Sequence, residues 1–195
     1  GVGIVYLGEL SGSNPATLQI GSSGVSLANN LVVRTGSSGT MTIGNTSSGT
    51  ATFSGGITLE QNISLANNSG GTLNLSGAMS LNGSQRFINL NSGHTALISG
   101  AVGTDGSGGL VKKGDGTLQL GGANTFAGLY IDRGTVELTG GSLAAGSTID
   151  IGTTSADGAS ASSLKVSASS FTLNRNIVVQ SAAGSRTLET ANSAN

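Results

Sequence analysis

Thr117-Leu118-Gln119-Leu120-Gly121 sets two leucines apart by one polar residue, entered through threonine and left through glycine. The same phrase returns as Thr17-Leu18-Gln19-Ile20-Gly21, Thr40-Met41-Thr42-Ile43-Gly44, Thr72-Leu73-Asn74-Leu75-Ser76-Gly77 and Thr135-Val136-Glu137-Leu138-Thr139-Gly140. Alternation at period two means short strands that bury one face. Between these phrases the pattern continues in the pairs Val25/Leu27, Leu31/Val33, Ile57/Leu59, Ile63/Leu65, Met79/Leu81, Leu129/Ile131 and Ile149/Ile151. No stretch sustains the i, i+3, i+4 apolar spacing of an amphipathic helix. The fold class is all-β.

Spacing selects the architecture. Gly39-Thr40, Gly71-Thr72 and Gly116-Thr117 read as the starts of equivalent strands, in a solenoid of rungs roughly 20 to 25 residues long with about three strands each. Stacked rungs pair every strand with its equivalents above and below, and alternate residues form one inward apolar column. About nine such rungs would make a rod roughly 40 Å long. A longer repeat lies over the short one: residues 17–33 align without a gap to residues 163–179, matching Leu18 with Leu164, Ile20 with Val166 and Leu31 with Ile177. The whole chain, 1–195, is therefore expected to be one β-solenoid segment. It is expected to start and stop within a longer array and, opening on Gly1, to be a processed or internal piece. The competing architecture, an antiparallel sandwich, calls for regular hairpins and core aromatics.

Composition narrows the function. With eight basic and nine acidic residues the formal net charge is -1, which offers no attraction for phosphate backbones or anionic lipids. There is no cysteine and one histidine, which excludes thiolate metal sites and disulfide scaffolds. About half of the chain is Gly, Ser, Thr and Asn, as in a linker, but 36% hydrophobic residues in short regular runs argue for folding. No apolar run approaches the roughly 18 residues of a membrane helix.

From Gly108 to Leu138 the sequence is GGLVKKGDGTLQLGGANTFAGLYIDRGTVEL. In Leu110, Lys112, Gly114, Gly116-Thr117-Leu118, Leu120, Gly122-Ala123-Asn124-Thr125-Phe126, Gly128, Ile131 and Gly134-Thr135-Val136-Glu137-Leu138 this segment resembles the autotransporter-associated β-strand repeat of bacterial surface proteins. The stretch after Gly128 is about one residue shorter than the usual form. The resemblance implies a right-handed parallel β-helix exported across both membranes of a Gram-negative-type envelope and shown or released outside the cell. It implies a scaffold, with no catalytic residue. The absence of cysteine agrees with export in an unfolded state. The long amphipathic strands and aromatic girdles of an outer-membrane barrel are not in this stretch.

Each polar candidate has a structural reading. His94, in Asn91-Ser92-Gly93-His94-Thr95, is expected at a surface corner, since a metal site needs further ligands beside it. Asp105, among glycines, lacks the regular repetition that calcium turns require. Lys112, Lys113, Asp115, Asp132, Arg133 and Glu137 form the charge concentration and are expected to pair across rungs; a polysaccharide lyase would instead cluster carboxylates around calcium beside a basic residue. Ice binding would need the pairs Thr40/Thr42 and Thr50/Thr52 repeated in register, and neighbouring strands do not repeat both. The Asn-x-Ser/Thr sequons at Asn45, Asn62, Asn67, Asn74 and Asn82 carry no inference in a chain this rich in those residues. Asn124 and Asn29-Asn30 are expected to satisfy corner backbone groups.

The expectation is a non-enzymatic extracellular shaft or filament, with no cofactor, no metal and no nucleic acid, which associates end to end or side by side. An adhesin passenger would show an exposed aromatic patch or a long charged loop, and neither is legible in the sequence. A β-helix enzyme acting on polysaccharide is the third reading.

Overall fold

A computed structural model describes residues 3–68, 70–103, 105, 108–144, 148–152, 160–181 and 183–190. Among them there is no helix, and the strands that alternation picks out are present. All strand pairings are parallel, and they stack into three faces. The first face holds Ile4–Leu7, Asn30–Val33, Ile57–Leu59 and Met79–Ser80. A bridge from Met79 to Val102 carries it on toward Ala123–Asn124 and Ser142–Leu143. The second face stacks Ala16–Ile20, Met41–Asn45, Ile63–Asn67, Arg86–Leu90, Gly109–Lys113, Gly128–Ile131, Ile149–Ile151 and Ile177–Val179. The third stacks Ser26–Leu27, Thr50–Phe53, Thr72–Leu75, Thr95–Ile98, Thr117–Leu120, Gly134–Leu138, Ser162–Val166 and Arg186–Thr190.

The chain is a β-solenoid. Among the described residues eight strands stack on each long face, eight rungs against the nine expected, and their seven steps span about 34 Å at the spacing of paired strands. Most steps of the third face keep to the expected 20 to 25 residues, as from Phe53 to Leu75 and from Leu75 to Ile98, and the widest departures follow one another. On the third face Leu120 lies beside Leu138, eighteen residues on, and Leu138 beside Val166, twenty-eight residues on.

Alternate residues of all three faces converge on one apolar column. Leu73, Leu75, Ile88, Leu90, Leu118, Leu120 and Ile131 are wholly buried in it. Because the inter-strand hydrogen bonds point along the rod, each rung satisfies the backbone of the next.

The corner from the third face to the first is built from stacked glycines. A Cβ on Gly77 would overlap the carbonyl of Gly55; one on Gly100, the carbonyl of Gly77; one on Gly122, that of Gly100; one on Gly141, that of Gly122. Turns here contact each other through bare backbone. This fixes the corner length: two or three residues separate Leu27 from Asn30, Phe53 from Ile57, Leu75 from Met79 and Leu120 from Ala123.

Two sequence readings need correction. Thr72 and Thr117 do open strands of the third face, but Gly39-Thr40 leads into Met41–Asn45 on the second; the equivalent start is Thr50, paired with Thr72. The long repeat is out of phase by one face. Ala16–Ile20 lies on the second face and Ser162–Val166 on the third, while their partners Asn30–Val33 and Ile177–Val179 lie on the first and second. Every face obeys the same alternation, so apolar matching alone does not fix which face a segment joins.

Candidate functional site

The charge concentration gathers at the corner from the second face to the third. Lys112 occupies an inward position, with Ile88 on one side and Ile131 on the other along the column. Its side chain is wholly buried, and Nζ donates to the carbonyls of Lys113 at 2.8 Å, Gly114 at 2.5 Å and Arg133 at 3.2 Å. The aliphatic stem fills the apolar column while the ammonium closes two successive turns. Burial pushes its pKa down to about 7, against the pull of Asp115 and with the push of Arg133.

That shift has a sign. An unfolded chain keeps the amine protonated up to its ordinary value of 10.5, so between pH 7 and 10.5 the unfolded state binds more protons. Stability therefore rises with pH across that window. Urea denaturation of the wild-type chain is expected to gain roughly 2 kcal/mol between pH 7 and 9, and Lys112→Met is expected to flatten that slope. Parallel slopes in the two proteins would refute a buried Lys112 amine that loses its proton near pH 7.

The remaining charges of the cluster pair across rungs, as the sequence reading has it. The Arg133 guanidinium grips Asp115 with Nε and Nη2, and this hydrogen-bonded partner holds the Asp115 carboxyl below the usual carboxylate range. Lys113 Nζ stands 3.6 Å from Asp132, and Lys165 Nζ stands 3.3 Å from Glu137. Burial raises the Glu137 pKa, but hydrogen bonds from Gln119, Ser167 and Lys165 outweigh it and leave the carboxyl below its ordinary value. Of these only the Arg133–Asp115 pair is exposed at both ends, and an exposed pair contributes a few tenths to about 1 kcal/mol.

The other cations are also engaged. Arg86 Nε donates to the Leu59 and Leu81 carbonyls, Arg175 Nε to that of Ala144, and Arg186 Nη1 to that of Ser160. The Arg34 guanidinium stacks 4.0 Å from the Tyr6 ring centre. All eight basic side chains thus close backbone turns, pair with carboxylates or stack on a ring.

Polar candidates outside the cluster stitch corners. Asn45 and Asn67 are buried and adjacent in register; Asn45 Nδ2 donates to the Gly49 and Thr72 carbonyls, and Asn67 Nδ2 to those of Gly71 and Thr95. His94 lies at this corner, half-buried, and its Nδ1 accepts the Asn67 amide at 3.2 Å. Asn124 joins rungs through Val102 N and Gly122 O. Asn29 Nδ2 reaches Gly3 O, and Asn30 Oδ1 accepts from Gly56 N. The Asp105 carboxylate accepts from Gly83 N and Ser80 Oγ, although Thr104, Gly106 and Ser107 of its glycine turn lie outside the described residues. Among the described residues no three His, Asp or Glu side chains gather to hold a metal ion.

Register shows a threonine column that the sequence reading missed. On the third face Thr50 pairs with Thr72, Thr95 with Thr117 and Thr117 with Thr135. The second outward column there runs Thr52, Asn74, Leu97, Gln119 and Glu137, so the two-threonine array of an ice-binding surface does not form. No family model, no curated protein and no solved structure matches the chain. Fold and chemistry together define a β-solenoid whose basic side chains and buried asparagines are spent on its own corners and rungs.

Proposed function

We propose that the chain is a non-enzymatic structural rod outside the bacterial cell, a shaft or filament segment that spaces or presents something else. The observation that carries this reading is the engagement of every cation in turn closure, cross-rung pairing or ring stacking. General acid–base or phosphate chemistry needs such groups free and convergent. The resemblance of Gly108 to Leu138 to an autotransporter-associated repeat supports display beyond the outer membrane.

End-to-end association belongs to the same proposal. In the last described rung Val179 and Leu188, paired with buried Ile151 and Leu164, are 53% and 47% exposed. One further rung laid on them, from the same chain or another copy, would cover that apolar surface and pair an open strand edge.

Cryo-electron microscopy of the native material tests the reading. Long unbranched filaments with a layer line near 4.8 Å along the axis are expected. Isolated short rods would overturn end-to-end association.

A further inference from the structure

Along the outside of the second face run two columns of side chains. In one, Phe87 lies beside Val111, and Val111 beside Tyr130. Asn62 continues this column on the other side of Phe87, accepting the Phe87 amide at 2.8 Å. In the second, Thr42 lies beside Ser64, Ser64 beside Asn89 and Asn89 beside Lys113.

The aromatic half is built into the surface. A Cβ on Gly128 would come within 2.8 Å of Tyr130 Oη, and one on Gly109 within 2.9 Å of its Cε2, so these glycines make the seat for the ring edge. Val111 points outward yet is 3% exposed between Phe87 and Tyr130. Beside Phe87 opens a groove of about 270 Å³, lined by Thr40, Asn62, Ser64, Phe87, Asn89 and Lys113. It crosses four successive rungs.

Charge and geometry choose the occupant. Lys113 Nζ lies 4.5 Å from the Phe87 ring centre and 3.6 Å from Asp132, so the groove's cation is already balanced, and the other five groups are neutral. An acidic ligand finds no unbalanced positive charge there. A peptide strand would need a free sheet edge, and the strands beneath are paired on both sides.

We propose that this groove binds a neutral polysaccharide laid along the rod. Hydroxyl and carboxamide groups repeat once per rung at about 4.8 Å, a spacing close to one sugar of an extended glycan. Phe87 offers an apolar wall for the C–H face of a pyranose, the usual division of labour between apolar walls and a few polar groups in a binding cleft. The inference stands whether or not the rods join into filaments.

The test is affinity electrophoresis of the whole chain through native gels containing hydroxyethylcellulose, xyloglucan or dextran, with polygalacturonate as the acidic comparison. At least one neutral polymer is expected to retard the wild-type chain, with retardation unchanged in high salt, where exposed charge interactions are screened. Phe87→Ala and Ser64→Arg are each expected to weaken it about tenfold, equivalent to about 1.4 kcal/mol. Ser64→Arg fills the groove and leaves rings and core intact, so matching melting curves separate lost binding from lost folding. No retardation by any neutral polymer, full binding by both variants, or salt-sensitive retardation by polygalacturonate alone would each overturn the proposal. So would variants that change sedimentation of the free chain and not its mobility in polymer, since the face would then join copies of the chain.

Discussion

Gly100→Ala is expected to lower the thermal midpoint by about 10 °C, although it adds one methyl group and removes no contact. The new Cβ would overlap the Gly77 carbonyl on the preceding rung. Backbone cannot swing aside as a side chain can, so the rungs must part at this corner, and overpacking of this kind costs about 3 kcal/mol. The displaced corner also carries hydrogen bonds, since the amides of Ser99 and Gly100 both donate to the Leu75 carbonyl. Gly140→Ala is the matched control, because its Cβ would meet the Gly121 carbonyl at an ordinary 3.5 Å. Differential scanning calorimetry of the two variants makes the comparison. Equal midpoints would show that close approach of the glycine corners does not limit stability.

The second large effect is expected at Phe126. Its ring is wholly buried in the apolar column. The Arg175 guanidinium lies 5.3 Å from the ring centre, with Nη2 donating to the Phe126 carbonyl at 3.2 Å. Gly103, at φ +78°, passes so close that its own Cβ would fall within 2.6 Å of Phe126 Cα. Phe126→Ala therefore opens a cavity in the apolar column beside a backbone already in close contact, and the expected loss is about 3–5 kcal/mol. In a solenoid this loss falls on the coupling between neighbouring turns. Hydrogen exchange should show lost protection at Leu129 and Ile131 of the same rung before it shows at Ile43 and Leu65. A urea midpoint within error of wild type would refute this account of the site.

What the sequence made legible was the period of two. Leu118 and Leu120, or Ile57 and Leu59, announce buried strand faces because the pleat sends alternate residues inward. Lateral placement was much less legible. The apolar positions of residues 17–33 and 163–179 match one for one, yet these stretches occupy different faces, because nothing in the alternation labels a face. Rung count was less legible too: nine were expected, and eight strands stack on each long face among the described residues. The charge cluster was readable, and its pairings followed from neighbouring rungs. The buried course of Lys112 was not, since a lysine at an inward position breaks the pattern that located the strand. Phe87 and Tyr130, far apart in sequence, fall into one outward column only once register is known.

The hydrogen bonds that join the rungs lie along the rod, and this decides how the rod yields to a pull between its ends. Tension acts on those bonds head-on, so the bonds of one rung share the load and the rungs stand in series. Yielding begins at a terminal rung and releases its chain, after which the next rung takes the force. Such a rod lengthens in small steps of eighteen to twenty-eight residues and keeps its remaining turns folded while each terminal rung yields.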